Sequence, residues 1–276
     1  IIPSRGGAGV LHYPLDALSA QTERDFQVIV VLDGDIDQSE KVVDDYIARR
    51  TLNLTKIVFP ENLGRVAALN AGHNAADADI LIRCDDDLEP EPDYVANHLR
   101  LHRDYDGVIG TLNNIFPKTA YSQVYGTYRD AKFKEAALRT PESERWHYWN
   151  GNSSVSAELY RTIGGFDTGG KIIISDAVET KHYAEATTTA VRALRALHAG
   201  SARTIFVRKH GEDAHAAPNP AGLWGAAVKA LAVVSTEANI RRIGNTLDAV
   251  LLKLPAKIAE KLVALQVEAA SYAGVK

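Results

Sequence analysis

Three adjacent carboxylates, Asp85-Asp86-Asp87, follow the apolar run Ile80-Leu81-Ile82-Arg83-Cys84. That much negative charge in one turn disfavours the ionised forms, and a bound divalent cation relieves it. Mg2+ and Mn2+ suit the position, since both prefer oxygen ligands and can bridge a carboxylate to substrate phosphates. Extended backbone sends residues i and i+2 to one side, which pairs Asp85 with Asp87 and turns Asp86 away. A solvated acidic loop capping the next helix is the competing structural role for the same residues. Polar groups recur in equivalent places: Pro3-Ser4-Arg5 closes the opening run, Asp33-Gly34-Asp35 follows Val28–Leu32, and Asn62-Leu63-Gly64-Arg65 follows Lys56–Phe59.

Such residues can meet only if the chain between them folds suitably. β-type runs at Ile1–Pro3, Val28–Leu32, Lys56–Phe59 and Ile80–Arg83 alternate with helical patterns near Leu11–Gln21, Ser39–Arg50 and Arg65–Asn74. Strands alternating with helices imply an α/β fold with a mostly parallel central sheet, helices on both faces and ligands at the carboxyl ends of the strands. All four polar segments then share one rim. Beyond Asp93 the pattern loosens; a helix is expected from about Asp176 to His198 and a strand at Thr204–Val207, ending in Arg208-Lys209-His210-Gly211. After Pro218 and Pro220 the sequence reads as helical to its end, with breaks at Gly244 and Pro255. The expected organisation is an α/β domain over 1–217, in two parts (1–95 and 96–217), with a helical extension over 218–276.

In order along the chain, Ile2-Pro3-Ser4-Arg5, Val30-Val31-Leu32-Asp33-Gly34-Asp35, Glu61-Asn62-Leu63-Gly64-Arg65 through Gly72, Asp85-Asp86-Asp87-Leu88-Glu89-Pro90, and Asn150-Gly151-Asn152-Ser153-Ser154 through Gly164-Gly165-Phe166-Asp167 resemble the sequence blocks of the family 2 glycosyltransferases. These are inverting enzymes of the GT-A fold, so the resemblance implies a catalytic domain over 1–217 with a nucleotide-sugar half (1–95) and an acceptor half (96–217). The resemblance implies a nucleoside-diphosphate sugar donor, a UDP-sugar favoured over a GDP-sugar, and Mn2+ or Mg2+ as cofactor. It implies donor contacts from Pro3, Ser4, Arg5, Asp33, Asp35, Asn62, Arg65, Asp85 and Asp86, with Asp85, Asp87 and His210 around the metal.

Inverting transfer requires a general base that removes the acceptor hydroxyl proton. The family places a carboxylate shortly after its GGFD block, which implies Asp176 first and Glu179 second; Ser175 stands where a further acid is usual, and Asp176 would otherwise serve as a helix N-cap. His210 sits in a segment similar to the family's YRxHG-like stretch, with His215 as a weaker alternative. Trp146, Tyr148 and Trp149 can stack on sugar rings or pack in the core. Leu247, Val250, Leu251, Leu254, Ile258, Leu262, Leu265 and Ala269 lie at helical spacing, a stripe suited to the core, to another subunit or to peripheral membrane contact.

Bulk properties narrow the field. A chain of 276 residues, 46% hydrophobic and 24% charged, can bury one large α/β core, and its net charge of -4 gives no broad nucleic-acid-binding surface. One cysteine, Cys84, precludes an internal disulfide and a cysteine-cluster zinc site, which fits a cytoplasmic location. Methionine is absent, position 1 included, and no window reaches the ~20 apolar residues of a spanning helix. A retaining GT-A enzyme, a nucleotidyltransferase and a turnover-deficient sugar-nucleotide-binding scaffold share much of this pattern. The nucleotidyltransferase reading lacks its glycine-rich, lysine-containing opening segment, and the sequence leaves the acceptor unspecified.

Overall fold

The computed structural model describes residues 1–163, 171–183, 187–210 and 219–275. It divides into two compact units, Ile1–Ile115 with Phe133–Tyr183, and Phe116–Lys132 with Ala184–Lys276. In chain order the elements are β1 (Ile2–Ser4), α1 (His12–Ser19), β2 (Val28–Leu32), α2 (Ser39–Arg49), β3 (Leu54–Val58), α3 (Arg65–Ala75), β4 (Ile80–Cys84), β5 (Leu88–Pro90), α4 (Tyr94–Leu101), β6 (Gly107–Ile115), α5 (Thr127–Leu138), β7 (Asn152–Ser156), α6 (Ala157–Ile163), β8 (Ile172–Tyr183), α7 (Thr189–His210), α8 (Gly222–Val233), α9 (Glu237–Val250) and α10 (Ala256–Val275).

β2 is buried at all five positions, the pattern of a parallel strand covered on both faces. It pairs in parallel with β1 and β3, Ile2 opposite Val30 and Val28 opposite Leu54. A second, five-stranded sheet runs β4-β7-β6-β8-β5. Here the pairs β4/β7, β6/β7 and β5/β8 are antiparallel and β6/β8 is parallel, so the expected parallel character belongs chiefly to the first half. Backbone bonds join the two sheets: the Ile1 amino group donates to the Ile82 carbonyl at 2.7 Å, and Cys84 N–H donates to the Ile1 carbonyl at 3.0 Å. The core beneath combines Ile2, Leu15, Val30, Leu32, Leu88, Tyr94 and Val108.

The helix expected over 176–198 is instead β8 followed, from Thr189, by α7. Ile172, Ile173, Ile174, Val178 and Thr180 are β-branched, and Ile172 and Ile174 are buried on one side, a period of two that favours strand over helix. Thr204–Val207 is likewise not a strand; it continues α7, where the Thr204 hydroxyl donates to the Gly200 carbonyl one turn back.

In the helical unit, α7, α9 and α10 pack around Ala193, Ala196, Ile240, Leu251, Val263 and Val267, and α8 docks on α10 through Val228, Ala232 and Ala269. Gly244 lies inside α9 and breaks nothing. A Cβ there would come within 2.6 Å of Ala190 Cα, so the glycine lets α9 approach α7 closely. Of the expected stripe Leu251 and Ala269 are fully buried, whereas Ile258 is 51% exposed; α10 also buries Ala259, Val263, Gln266, Val267 and Ala270. Among the described residues no helix is long and apolar enough to cross a membrane.

Candidate active site

The register of the second sheet sets one rim. Cys84 pairs with Asn152, Ile109 with Ser153 and Gly110 with Ser175, so β4, β7, β6 and β8 reach the same level together. Asp85 stands just beyond that level on β4, with its N–H donating to the Gly151 carbonyl at 2.9 Å. Asp176 stands beyond it on β8, exposed. There the ladder is interrupted: between the pairs Gly110–Ser175 and Leu112–Thr180, Thr111 alone faces residues 176–179. Asn97 Nδ2 donates to the Ala177 carbonyl at 2.8 Å and Asn152 Nδ2 to the Val178 carbonyl at 2.7 Å, fixing this irregular segment.

Each carboxylate of the triplet has its own partner. Asp85 accepts from Arg83 Nε at 2.7 Å and Nη2 at 2.8 Å, a two-pronged pair lying along one side of the extended chain. Asp86 accepts from the Ser4 hydroxyl at 2.5 Å, tying the end of β1 to the triplet. Burial pushes Asp86 up to about 6, reinforced by Asp87 and Asp85 and opposed by the Ser4 hydrogen bond. Asp87 faces His182 of β8, Oδ2 to Nε2 at 3.0 Å, while its carbonyl accepts from Tyr183 N–H at 3.1 Å.

The other imidazole nitrogen of His182, Nδ1, lies against Asn114 Oδ1. With the amide so oriented, Nδ1 donates to Asn114, and Nε2 turns toward the Asp87 carboxylate either as a second donor or as a bare acceptor. Two acceptors facing each other need a second proton or a cation between them, and a carboxylate with an imidazole is a donor set that suits Mn2+. Among the described residues no cluster of three or more His, Cys, Asp or Glu forms a complete cage. A cation here would take its remaining ligands from phosphate oxygens and water, as Mg2+ and Mn2+ commonly do.

Around the first sheet, Asp33 is 5% exposed. Its carboxylate accepts from Leu63 N–H at 2.6 Å and from Gly64 N–H at 3.0 Å. It thereby fixes the loop that carries Asn62 and delivers Arg65, exposed, to the first position of α3. Arg5 and Asp35 are exposed and Pro3 is buried within β1.

Residues 1–164 match the model of Glycosyl transferase family 2. The chain belongs to that family. It is 30% identical over 109 residues to an undecaprenyl-phosphate 4-deoxy-4-formamido-L-arabinose transferase of Proteus mirabilis (38% of this chain, 33% of the relative). It is 33% identical over 120 residues to the putative glycosyltransferase EpsH of Bacillus subtilis (42% and 34%). These matches therefore span about a third of each relative's length. In fold it resembles the mannosyltransferase PcManGT of Pyrobaculum calidifontis, solved with GDP-Man and Mn2+, at a TM-score of 0.60 and 21% identity over 98% of this chain and 84% of the other. TarS of S. aureus, solved with UDP-GlcNAc, gives a TM-score of 0.50 and 13% identity over 97% and 89%.

Within this family 2 chain the structure brings Ser4, Asp85, Asp86 and Asp87 together, and Asp176 and Glu179 onto one irregular stretch of β8. Glu179 is held by Lys134 and by the Thr111 hydroxyl at 2.8 Å. Asp176 is no helix N-cap, because it lies within a strand. His210 ends α7, but its side chain, with those of Arg208 and Lys209, lies outside the described residues, as do His215 and the Gly164–Asp167 block. Trp146, Tyr148 and Trp149 pack against Ile109, Ala137, Ile172 and Ile174, the core role.

Sequence reading missed Arg83 and His182. An arginine two residues before Asp85 in an otherwise apolar strand was a usable signal, since i and i+2 share a side. His182 had none, because only the β5/β8 pairing, Leu88 opposite His182, carries it to Asp87. A cavity of about 630 Å³ lies elsewhere, at the amino ends of β2 and β4, lined by Phe26, Val28, Ile80 and Tyr94 among others.

Proposed function

We propose that this chain transfers a sugar from a nucleoside-diphosphate sugar to an acceptor hydroxyl with inversion at the anomeric carbon. The observation that carries this reading is the arrangement of the triplet at the strand ends, with Asp86 tied to Ser4 and Asp87 facing His182 across 3.0 Å. Residues 1–95 form the donor side and 96–217 the acceptor side in this proposal. Asp87 and His182 would hold Mn2+ or Mg2+. Such a cation, when bound, stabilises the negative charge that develops on the departing diphosphate.

The remaining work falls to the chain's own groups. Arg83 holds the Asp85 carboxylate in one orientation, leaving unused lone pairs to accept from a donor hydroxyl. Asp33 shapes the 61–64 loop, and Arg65 offers a cation beside it. Asp176 serves as the base: its carboxylate is exposed at the rim, whereas Glu179 already receives the Lys134 ammonium and the Thr111 hydroxyl. A UDP-sugar is the favoured donor and a GDP-sugar the alternative, the two classes bound by TarS and PcManGT respectively.

Nucleoside-diphosphate release should be measured across UDP- and GDP-sugars with Mn2+, Mg2+ or excess chelator, for the unaltered chain, Asp176→Asn and Glu179→Gln. Loss in Asp176→Asn with retention in Glu179→Gln supports the assignment. Equal rates in the unaltered chain and Asp176→Asn overturn the base, full activity in chelator overturns the metal, and a retained anomeric configuration overturns inversion.

A further inference from the structure

Helix α8 presents an outward face that does not behave like a water-facing surface. Gly225, Val228 and Ala232 form its buried side, and Val228 and Ala232 pack with Ala269 of α10. The opposite side carries Leu223, Ala226, Ala227, Ala230 and Val233, and continues into Val234 just past the helix end, all exposed. Leu223 is 94% exposed and Val233 is 76% exposed. None of these six side chains can form a hydrogen bond or carry charge, so the helix is apolar on both its docked and its free side. Trp224 flanks the stripe and donates from Nε1 to Glu268 at 2.7 Å; Lys229 flanks the other side and donates to Asn219 at 3.1 Å. A surface helix docked on one face ordinarily places charged residues on the other.

We propose that the α8 face is a docking surface for an anionic lipid bilayer, entered by Leu223, Val233 and Val234 with Trp224 at the headgroup level. Charge favours that occupant. Residues 219–275 hold six lysines and arginines against four acids, on a chain whose net charge is -4. Of the acids, Asp248 accepts from Thr189 and Glu268 from Trp224. An apolar stripe flanked by tryptophan and lysine, on a segment of net positive charge, has the features that hold a helix in the plane of an anionic interface. A second copy would set one segment of net positive charge against another. The proposal is independent of sugar transfer, because it concerns the helical unit alone and is read by binding.

The test is flotation of the full chain with vesicles of phosphatidylcholine alone and of phosphatidylcholine containing roughly 30 mol % phosphatidylglycerol, followed with tryptophan emission. The variants are Leu223→Glu with Val233→Glu, and separately Lys229→Gln with Lys253→Gln. The expected result is binding to the anionic vesicles with a blue shift in emission. The glutamate pair should weaken it by about tenfold or more, and the glutamine pair by a few-fold together with lower salt sensitivity. Because all four positions are at or near the surface, unchanged circular dichroism is the control for folding. Failure of the unaltered chain to float with anionic vesicles overturns the proposal. So does a concentration-dependent dimer without vesicles that the glutamate pair abolishes, which would assign the face to a second copy.

Discussion

Arg83 grips Asp85 with two parallel bonds, Nε to Oδ1 at 2.7 Å and Nη2 to Oδ2 at 2.8 Å. Arg83 is 8% exposed, so the pair is largely desolvated, and removing one partner strands the other's charge. Arg83→Gln should therefore lower stability by about 3 kcal/mol. In the proposed site it should also raise the donor KM more than it lowers kcat, because it loosens a group that positions the donor. Urea unfolding reads the first effect and initial-rate kinetics the second. Arg83→Lys keeps the charge but not the fork, and should restore stability only in part.

Gly151 lies directly beneath the same carboxylate. A Cβ at this position would stand 2.3 Å from Asp85 Oδ2 and 2.4 Å from its Cγ. Gly151→Ala should push Asp85 off Arg83, costing about 1–3 kcal/mol and reducing kcat/KM by roughly tenfold or more. Gly9→Ala is the matched control, since nothing lies within 4 Å of the Cβ it would add. Thermal unfolding and initial rates of the two variants, measured side by side, check the expectation; equal behaviour would contradict it.

The sequence made the first half of the fold legible and the second half much less so. Each strand from β1 to β4 carries apolar residues and is followed by a polar turn, and local pattern suffices where a strand such as β2 is covered on both faces and its neighbours follow by βα units. β8 alternates only weakly and is interrupted after Ser175 by residues whose conformation is set by Asn97 and Asn152, distant in sequence. That is why Asp176 reads as a helix start. Thr204–Val207 reads as a strand because three of its four residues are β-branched, yet α7 packs along α10 and tertiary contact overrides the propensity. Within the site, Asp85, Asp86 and Asp87 stood out by density, whereas His182 depends on the register of an antiparallel pair that no local pattern encodes.

Asp87 and His182 should together govern cation binding. Asp87→Asn and His182→Gln are each expected to weaken Mn2+ binding by roughly 10–100-fold, and Asn114→Leu, which releases His182 Nδ1, by a smaller factor. Titration of Mn2+ by electron paramagnetic resonance, with a nucleoside diphosphate present and no sugar acceptor, separates this from turnover. Unchanged Mn2+ affinity in both single variants would remove Asp87 and His182 from the proposed metal site.

Buried histidines should set the acid limit of the fold. His98 Nδ1 and His102 Nε2 both lie 2.7 Å from the Ser154 hydroxyl. Burial, with His102 adding, pulls His98 down to about 3, and burial pulls His73 down to about 4. Above pH about 6.5 these rings are neutral in folded and unfolded chains alike and contribute no pH dependence. As pH falls below that value, the unfolded chain takes up protons that the folded chain refuses, so stability declines toward the depressed folded pKa values. Between pH 7 and 5 each such ring should cost about 2 kcal/mol. Asp86, pushed up to about 6, acts in the opposite sense over this window, because the folded chain then binds a proton that the unfolded chain does not. Comparing the unaltered chain with His98→Gln by urea unfolding at pH 7, 6 and 5 cancels that contribution. The variant should be less stable at pH 7, through loss of the bond to Ser154, but should lose about 2 kcal/mol less on acidification. Parallel pH profiles for the two proteins would show that His98 is protonated in the fold and that its burial does not set the acid limit.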